Sequence, residues 1–220
     1  MSETAGHPGP EASALRQFLS GDPRDIAPLL LGAVLTHQTD EGAVSVRLTE
    51  VEAYLGPHDS PRPDPGSHTF RGLTARNAPM FGPAGHLYVY FTYGMHYCAN
   101  IVCGPDGVPS ALLLRAGEVV AGQGIAASRR PASKSPRDLA SGPARLATVL
   151  GLTTADSGRD ALAPPFGLVL PGAAASAVGS GPRVGVAGDG GSGLYPWRFW
   201  IQDDPTVSRY KAAKARTPKQ

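Results

Sequence analysis

The sequence predicts a single, compact mixed α+β domain, and three features carry that reading. Residues 44–48, Val-Ser-Val-Arg-Leu, place apolar side chains at every second position, the period of a strand with one buried face. Residues 87–91 and 96–102 are two runs rich in aromatic and β-branched residues joined by a short segment containing Gly94, the pattern of a β-hairpin. Ser141-Gly142-Pro143 sets up a helix, with proline at the first helical position, Leu146, Val149 and Leu150 on one face, and Gly151 as the stop. The 28 glycines and 22 prolines among 220 residues favour many loops and short strands over a helical bundle. A hydrophobic fraction of 41% suffices for one core.

The remaining elements follow in chain order. Residues 1–10 lack the basic start and apolar core of a signal peptide and are expected to be a flexible leader, and no apolar run is long enough to span a bilayer. Residues 11–19 suit a short helix ended by Ser20-Gly21-Asp22-Pro23, and residues 25–35 a second one with Asp25 as N-cap, after which 36–42 turn into the strand. Residues 55–67 are broken by Pro57, Pro61, Pro63 and Pro65 and belong to a loop. Residues 116–135 read as a helix that decays into a basic loop with Arg129, Arg130 and Lys134, and the strand-like pieces beyond the 141–151 helix are 166–170, 183–186 and 197–201. Residues 208–220 carry Arg209, Lys211, Lys214, Arg216 and Lys219 with few apolar neighbours, so a basic disordered tail is expected after a domain spanning 11–207.

Charge and cysteine content narrow the function classes. Twenty Lys and Arg against eighteen Asp and Glu leave a formal charge of +2, which excludes a polycation; any nucleic-acid footprint must be a local patch. Cys98 and Cys103 stand five apart on one expected strand, hence on opposite faces, which excludes a local bridge and gives no metal spacing. No metal or cofactor is expected, no dinucleotide or phosphate-loop fingerprint is present, and a reduced cytoplasm is the expected compartment.

Residues that carry chemistry concentrate between Thr49 and Arg115. If the alternation of 44–48 continues, Glu50, Glu52 and Tyr54 join the inward face, where a carboxylate must be paired, hydrogen-bonded or neutral. A bulge at Thr49 would instead turn Val51, Ala53 and Leu55 inward, and both registers stand. Tyr88 and Tyr90 share one face of the first hairpin strand, and Cys98 and Asn100 one face of the second. Tyr93 falls at the tip, where small polar residues are usual, so it is either packed back on the body or offered to a partner.

The strings TEVEAYLG, SHTFRG, ARNAPMFGPAGHLYVYFTYGMHYCANIV and ALLLRAGE resemble the alkyladenine (3-methyladenine) DNA glycosylase family, the monofunctional base-excision repair enzymes. SGPARL, RVGV and PWRF follow in the family's order, and the likeness covers residues 29–207. It implies a curved antiparallel sheet with a protruding hairpin and surrounding helices, acting on damaged purines in double-stranded DNA. The reaction it implies is hydrolysis of the N-glycosidic bond of alkylated, and by extension deaminated, purines after base flipping, leaving an abasic site. Glu52 would then be the general base and Arg115 would hold the water and Glu52, while Tyr54, His68, Tyr90 and Asn100 would line the base pocket. Tyr93 and Met95 would enter the duplex, and Arg76, Asn77, Ser141 and Gly142 would contact the DNA backbone. His58 competes with His68 inside a loop longer than the family's, and Ala75 stands where the family usually has proline.

The chemistry agrees with those residue types. Breaking an N-glycosidic bond builds positive charge on the sugar and needs an activated water beside C1′, work suited to a carboxylate. Aromatic walls attract a cationic alkylated base by ~1 kcal/mol or more. No lysine lies between Val44 and Gly117, so a Schiff-base lyase reaction has no nucleophile there. The alternative is a non-catalytic damage-binding module, which would have no use for Glu52 and Arg115. A carbohydrate glycosidase fits poorly, because two carboxylates on one side of one strand cannot readily flank a sugar. A monomer associated with the bacterial nucleoid is expected.

Overall fold

The computed structural model describes residues 9–92 and 94–213. Eight strands among them form one antiparallel sheet: β1 (Val34–Thr39), β2 (Gly42–Tyr54), β3 (Leu87–Thr92), β4 (His96–Val102), β5 (Ala111–Ala121), β6 (Phe166–Val169), β7 (Val178–Gly181) and β8 (Arg198–Ile201). The order is β3-β4-β5-β2-β1-β6, with the β7–β8 pair attached to β2 through β8. β2 is the axis of the sheet. β5 runs along one of its edges, while the other edge is shared, β1 pairing with residues 42–47 and β8 with residues 50–52. The sheet curls into a half-barrel, as the sequence led one to expect, and β3 and β4 form the expected hairpin.

Four helices, α1 (Pro10–Leu19), α2 (Pro23–Leu30), α3 (Gln123–Arg129) and α4 (Pro143–Leu150), contribute to the core on one face of the sheet. Leu19, Ile26, Leu30, Leu146 and Leu150 pack there against Val46, Leu48, Val51, Ile101, Leu112 and Leu114. The numbering of the β2 core residues changes parity midway: Val44, Val46 and Leu48 are followed by Val51 and Ala53. Pairing gives the reason. Leu48 faces Gly117, Glu50 faces Ala116 and Val51 faces Leu114, so Thr49 is an extra residue on β2 and Arg115 an extra residue on β5. Each one-residue bulge flips every side chain beyond it on its own strand, while the two together restore the pairing register. Of the two registers open to the sequence, the bulged one is adopted, and Glu50, Glu52 and Tyr54 leave the helix-covered face for the other.

Several expected boundaries move. α2 starts at Pro23, with the Asp22 side chain rather than Asp25 accepting the Arg24 N–H as N-cap, and it ends at Leu30. Residues 34–39 are a strand and not the end of that helix and a turn, because β1 finds partners on both sides in β2 and β6. Residues 116–121 continue β5 instead of opening a helix; α3 begins after Gly122, whose φ of 73° suits a residue pressed against the Ala43 carbonyl. Residues 183–186 are not a strand: Val184 and Gly185 form a turn, and the strand of that region is β7. The segment expected to be a tail from 208 onward is tied down at its start: Ser208 N–H donates to Glu50 at 2.8 Å, and the Lys211 carbonyl accepts from Gly185 N–H at 2.9 Å. The expected leader up to residue 8 and the tail from 214 lie outside the described residues.

Gly117 sits opposite Leu48, next to the bulge, and a β-carbon there would strike Val46 and the Arg47 carbonyl. Gly117→Ala should therefore cost about 1–3 kcal/mol by overpacking, read as a lower urea midpoint. An unchanged midpoint would mean that the bulged strands can separate freely.

Candidate active site

The face of the sheet opposite the helices carries a cavity of about 370 Å³, near the lower end of the ~300–1,000 Å³ range of small-molecule sites. The sheet supplies Tyr54, Tyr88, Tyr90, Cys98, Asn100, Leu113 and Arg115; the loop before β3 supplies Pro65, Gly66 and His68; Val184 to Ala187 and Pro143 close it from across. Strand register explains the sheet wall. Tyr88 faces Asn100 and Tyr90 faces Cys98 across the hairpin, and Asn100 faces Leu113 on its other side, so one row of side chains projects together.

The aromatic wall is neutral and ordered. Tyr88 is buried, burial pushing its phenol up to about 12, and its hydroxyl lies 3.0 Å from His68 Nδ1. His68 meets Tyr90 edge-on at 4.6 Å between ring centres. Withdrawal from water against the wall, and then the Arg76 guanidinium, hold the His68 pKa below its ordinary 6.5, so the imidazole is neutral at pH 7. His58 is exposed against the Phe70 carbonyl and does not line the cavity, whereas His68 does. Asn100 is oriented by donating its Nδ2 to the Tyr88 carbonyl at 2.9 Å.

Two glutamates lie side by side beneath this wall, both wholly buried. Glu50 accepts from Arg115 Nε at 2.9 Å, Arg198 Nε at 2.6 Å and Ser208 N–H at 2.8 Å. Burial alone would raise its pKa, but the Arg115 charge, the Ser208 N–H and Arg198 together outweigh that and hold it below 4.5. Glu52 accepts from Val184 N–H at 2.7 Å on Oε1 and from the Tyr54 hydroxyl at 2.8 Å on Oε2, with Arg115 Nε 3.4 Å from Oε1. Tyr54, Arg115 and Val184 all line the cavity, so the Glu52 carboxylate lies directly under its floor. Arg115 thus bridges two carboxylates from its place in the bulge.

The expected DNA-backbone residues divide. Arg76 is exposed, its Cζ 5.4 Å from the Tyr90 ring centre and its Nη2 donating to the Phe91 carbonyl. Asn77 does not face outward: it is buried, donating Nδ2 to the carbonyls of His68 and Gly72 and accepting the Thr74 N–H, so it shapes the loop that carries His68. Ser141 and Gly142 are half-buried just before Pro143, with Ser141 bridged to Ala116. Met95 is 68% exposed at the hairpin turn, and Tyr93 lies outside the described residues. Sequence reasoning missed Arg198 and Ser208 as partners of Glu50, and Asp64 and Arg183 beside Glu52. Their only signal was the presence of the two arginines in the RVGV and PWRF strings; the proline-broken loop gave no sign that Asp64 would be buried. Among the described residues, no group of three His, Cys, Asp or Glu is arranged to hold a metal ion.

Comparison with known proteins bears on this cavity directly. The methylpurine-DNA glycosylase (MPG) family model matches residues 17–205. A Streptomyces avermitilis protein is 53% identical over 205 residues, covering 91% of this chain and 93% of its own. One from Leifsonia xyli subsp. xyli is 51% identical over 94% of both chains, and one from Nocardia farcinica 47% identical over 90% of this chain and 95% of its own. All three bear the name "Putative 3-methyladenine DNA glycosylase". Because the family match runs through both glutamates, Arg115 and every wall of the cavity, the chain belongs to the methylpurine-DNA glycosylase family.

Proposed function

We propose that this protein excises alkylated purines from DNA as a monofunctional N-glycosylase, with Glu52 as the base that activates water and Arg115 as the group that holds both. The observation that carries this reading is a buried glutamate whose three partners line one aromatic-walled cavity. A base reaching that cavity must leave the helical stack, bringing its glycosidic bond to the protein. There Glu52 takes a proton from water and its charge opposes the cation building on the sugar. Arg115 keeps the carboxylate oriented, and Glu50 with Arg198 offsets the charges around it.

The wall suits the leaving group. Tyr54 and Tyr90 offer electron-rich faces to a cationic alkylated base, and a neutral His68 adds no opposing charge. Deaminated purines can use the same pocket without the cation–π contribution. Asn100, locked by the Tyr88 carbonyl, is positioned to disfavour the exocyclic amine of guanine. Tyr93, which falls between β3 and β4 in the sequence, and Met95 at the hairpin turn fill the gap left in the duplex, and Arg76, Ser141 and Gly142 meet the backbone. A damage-binding module would gain nothing from two buried glutamates and their arginines, whose desolvation is costly.

Three outcomes test this. Glu52→Gln should lower single-turnover excision by about 10²–10⁴-fold while lesion-duplex binding persists; near-wild-type excision would remove Glu52 as the base. Glu50→Gln should act first on stability. Its folded pKa lies below 4.5, so its contribution is present above pH 4.5 and lost as pH falls through the folded value. The variant should therefore lose about 3–5 kcal/mol at pH 7, and its gap to wild type should narrow in acid denaturation series below pH 4.5. Met95→Ala should leave the melting temperature unchanged and weaken lesion-duplex binding about tenfold, equal to ~1.4 kcal/mol of lost contact. A lower melting temperature with unchanged affinity would make Met95 a packing residue.

A further inference from the structure

Among the described residues Arg183 is the largest side chain wholly removed from solvent, and the reaction described above makes no use of it. Its guanidinium grips Asp64 with two parallel bonds, Nη1 to Oδ2 at 2.7 Å and Nη2 to Oδ1 at 2.6 Å. It also donates to the Ala53 carbonyl at 2.9 Å and to the Gly190 carbonyl at 2.7 Å, and lies 4.4 Å over the Tyr54 ring. Asp64 accepts the N–H groups of Leu55 and Gly66 in addition. Clearances are cut to this arrangement: a β-carbon on Gly66 would strike the guanidinium, and one on Gly190 would strike the Gly66 backbone. Hydrophobic side chains often match a buried ion pair in stability, so stability is a weak reason for one here.

The two bonds that orient Glu52 supply a stronger reason. Val184, which gives its N–H to Glu52 Oε1, is the residue after Arg183, and Tyr54, which gives its hydroxyl to Oε2, has its ring clamped beneath the guanidinium. Both oxygens of the glutamate are held by groups that Arg183 holds. We infer that Arg183 and Asp64 are a positioning pair for the glycosylase reaction, acting on Glu52 through the Val184 N–H and the Tyr54 hydroxyl without touching substrate. The inference rests on the assignment of Glu52 as the base. The pair also anchors opposite lips of the cavity, Pro65 and Gly66 beside Asp64 and Val184 beside Arg183, so it couples the carboxylate to the walls that receive the base.

The test is a double-mutant cycle. Arg183→Lys keeps the charge, but a single ammonium cannot span both Asp64 oxygens and the two carbonyls. Single-turnover excision of one defined alkylated purine in a duplex, and binding to a duplex carrying a non-hydrolysable analogue, are measured for wild type, Arg183→Lys, Glu52→Gln and the double variant. Arg183→Lys should slow excision by about 10–10²-fold, as misplacement by an ångström does, with binding changed by less than about twofold. Added to Glu52→Gln it should slow the residual reaction no further, because the group it positions is no longer a base. A full additional loss in the double variant, or a parallel loss of binding and rate, would overturn the inference. Near-wild-type excision by Glu52→Gln alone would instead remove the base assignment. If Arg183→Lys does not fold, Asp64→Asn, which keeps shape and acceptor, enters the same cycle. Should that fail too, Tyr54→Phe deletes one arm alone, and a rate equal to wild type would overturn the inference.

Discussion

The architecture of the site depends on a constraint in two facing strands. Glu50 and Glu52 stand two apart on β2, and an uninterrupted strand would send both to the face where Val46 and Leu48 pack under the helices. Nothing apolar there could pair them, and a bare charge in such a core is far more costly than a cavity. The extra residue at Thr49 turns them over, and the extra residue at Arg115 on β5 turns a cation over with them. One irregularity would have left the strands out of register; the facing pair preserves the ladder beyond it. The same event exchanges the edge partner of β2 from β1 to β8, which brings Arg198 onto Glu50 at 2.6 Å.

Charge balance is then local. Glu50 and Glu52 are met by Arg115 and Arg198, and Arg183 by Asp64, so six buried ionised side chains close into two neutral groups. The other Glu50 oxygen, Oε2, accepts from the Ser208 N–H, and the Ser208 carbonyl in turn accepts from Arg198. Such a cluster contributes little net stability relative to apolar packing, and its worth lies in geometry that survives the departure of water. The chain beyond β8 takes part in that geometry, which is why residues 208–211 are not a free tail despite their basic composition.

How far the sequence could be read follows from the range of the forces involved. Alternation and turn chemistry act over a few residues, so the hairpin, α1, α4 and the start of β2 were legible. Residues 34–39 are a strand because they pair with β2 on one side and with β6 on the other, and β6 lies more than a hundred residues away, beyond the reach of any local pattern. The bulge was visible only as two competing registers. Glu52, Arg115, Tyr54, His68, Tyr90 and Asn100 were assembled by resemblance and do meet around one cavity or its floor. Asn77 was assigned to the DNA backbone by resemblance, whereas its bonds to the carbonyls of His68 and Gly72 put it inside the loop. Asp64 and Arg183 stood 119 positions apart, each ordinary in its own surroundings.

Rigidity is distributed unevenly around the cavity, and this has a chemical consequence. The wall that meets the base comes from paired strands, where Tyr88, Tyr90, Cys98 and Asn100 are held by the ladder itself. The opposite lips are irregular backbone, residues 64–68 and 184–187, which have no ladder and are fixed chiefly through the Arg183–Asp64 pair and the bonds of Asn77. Catalytic groups must be held more closely than binding surfaces, since rate falls steeply with small displacement while contact area does not. Glu52 lies at the junction of the two regimes, its backbone in β2 and both its oxygens bonded toward the irregular side or the clamped ring of Tyr54. A sheet alone would fix its position but leave its carboxylate free to rotate; a loop alone would fix neither. The buried ion pair links the ordered strand, through the Ala53 carbonyl, to the turn whose Val184 N–H holds Glu52 Oε1.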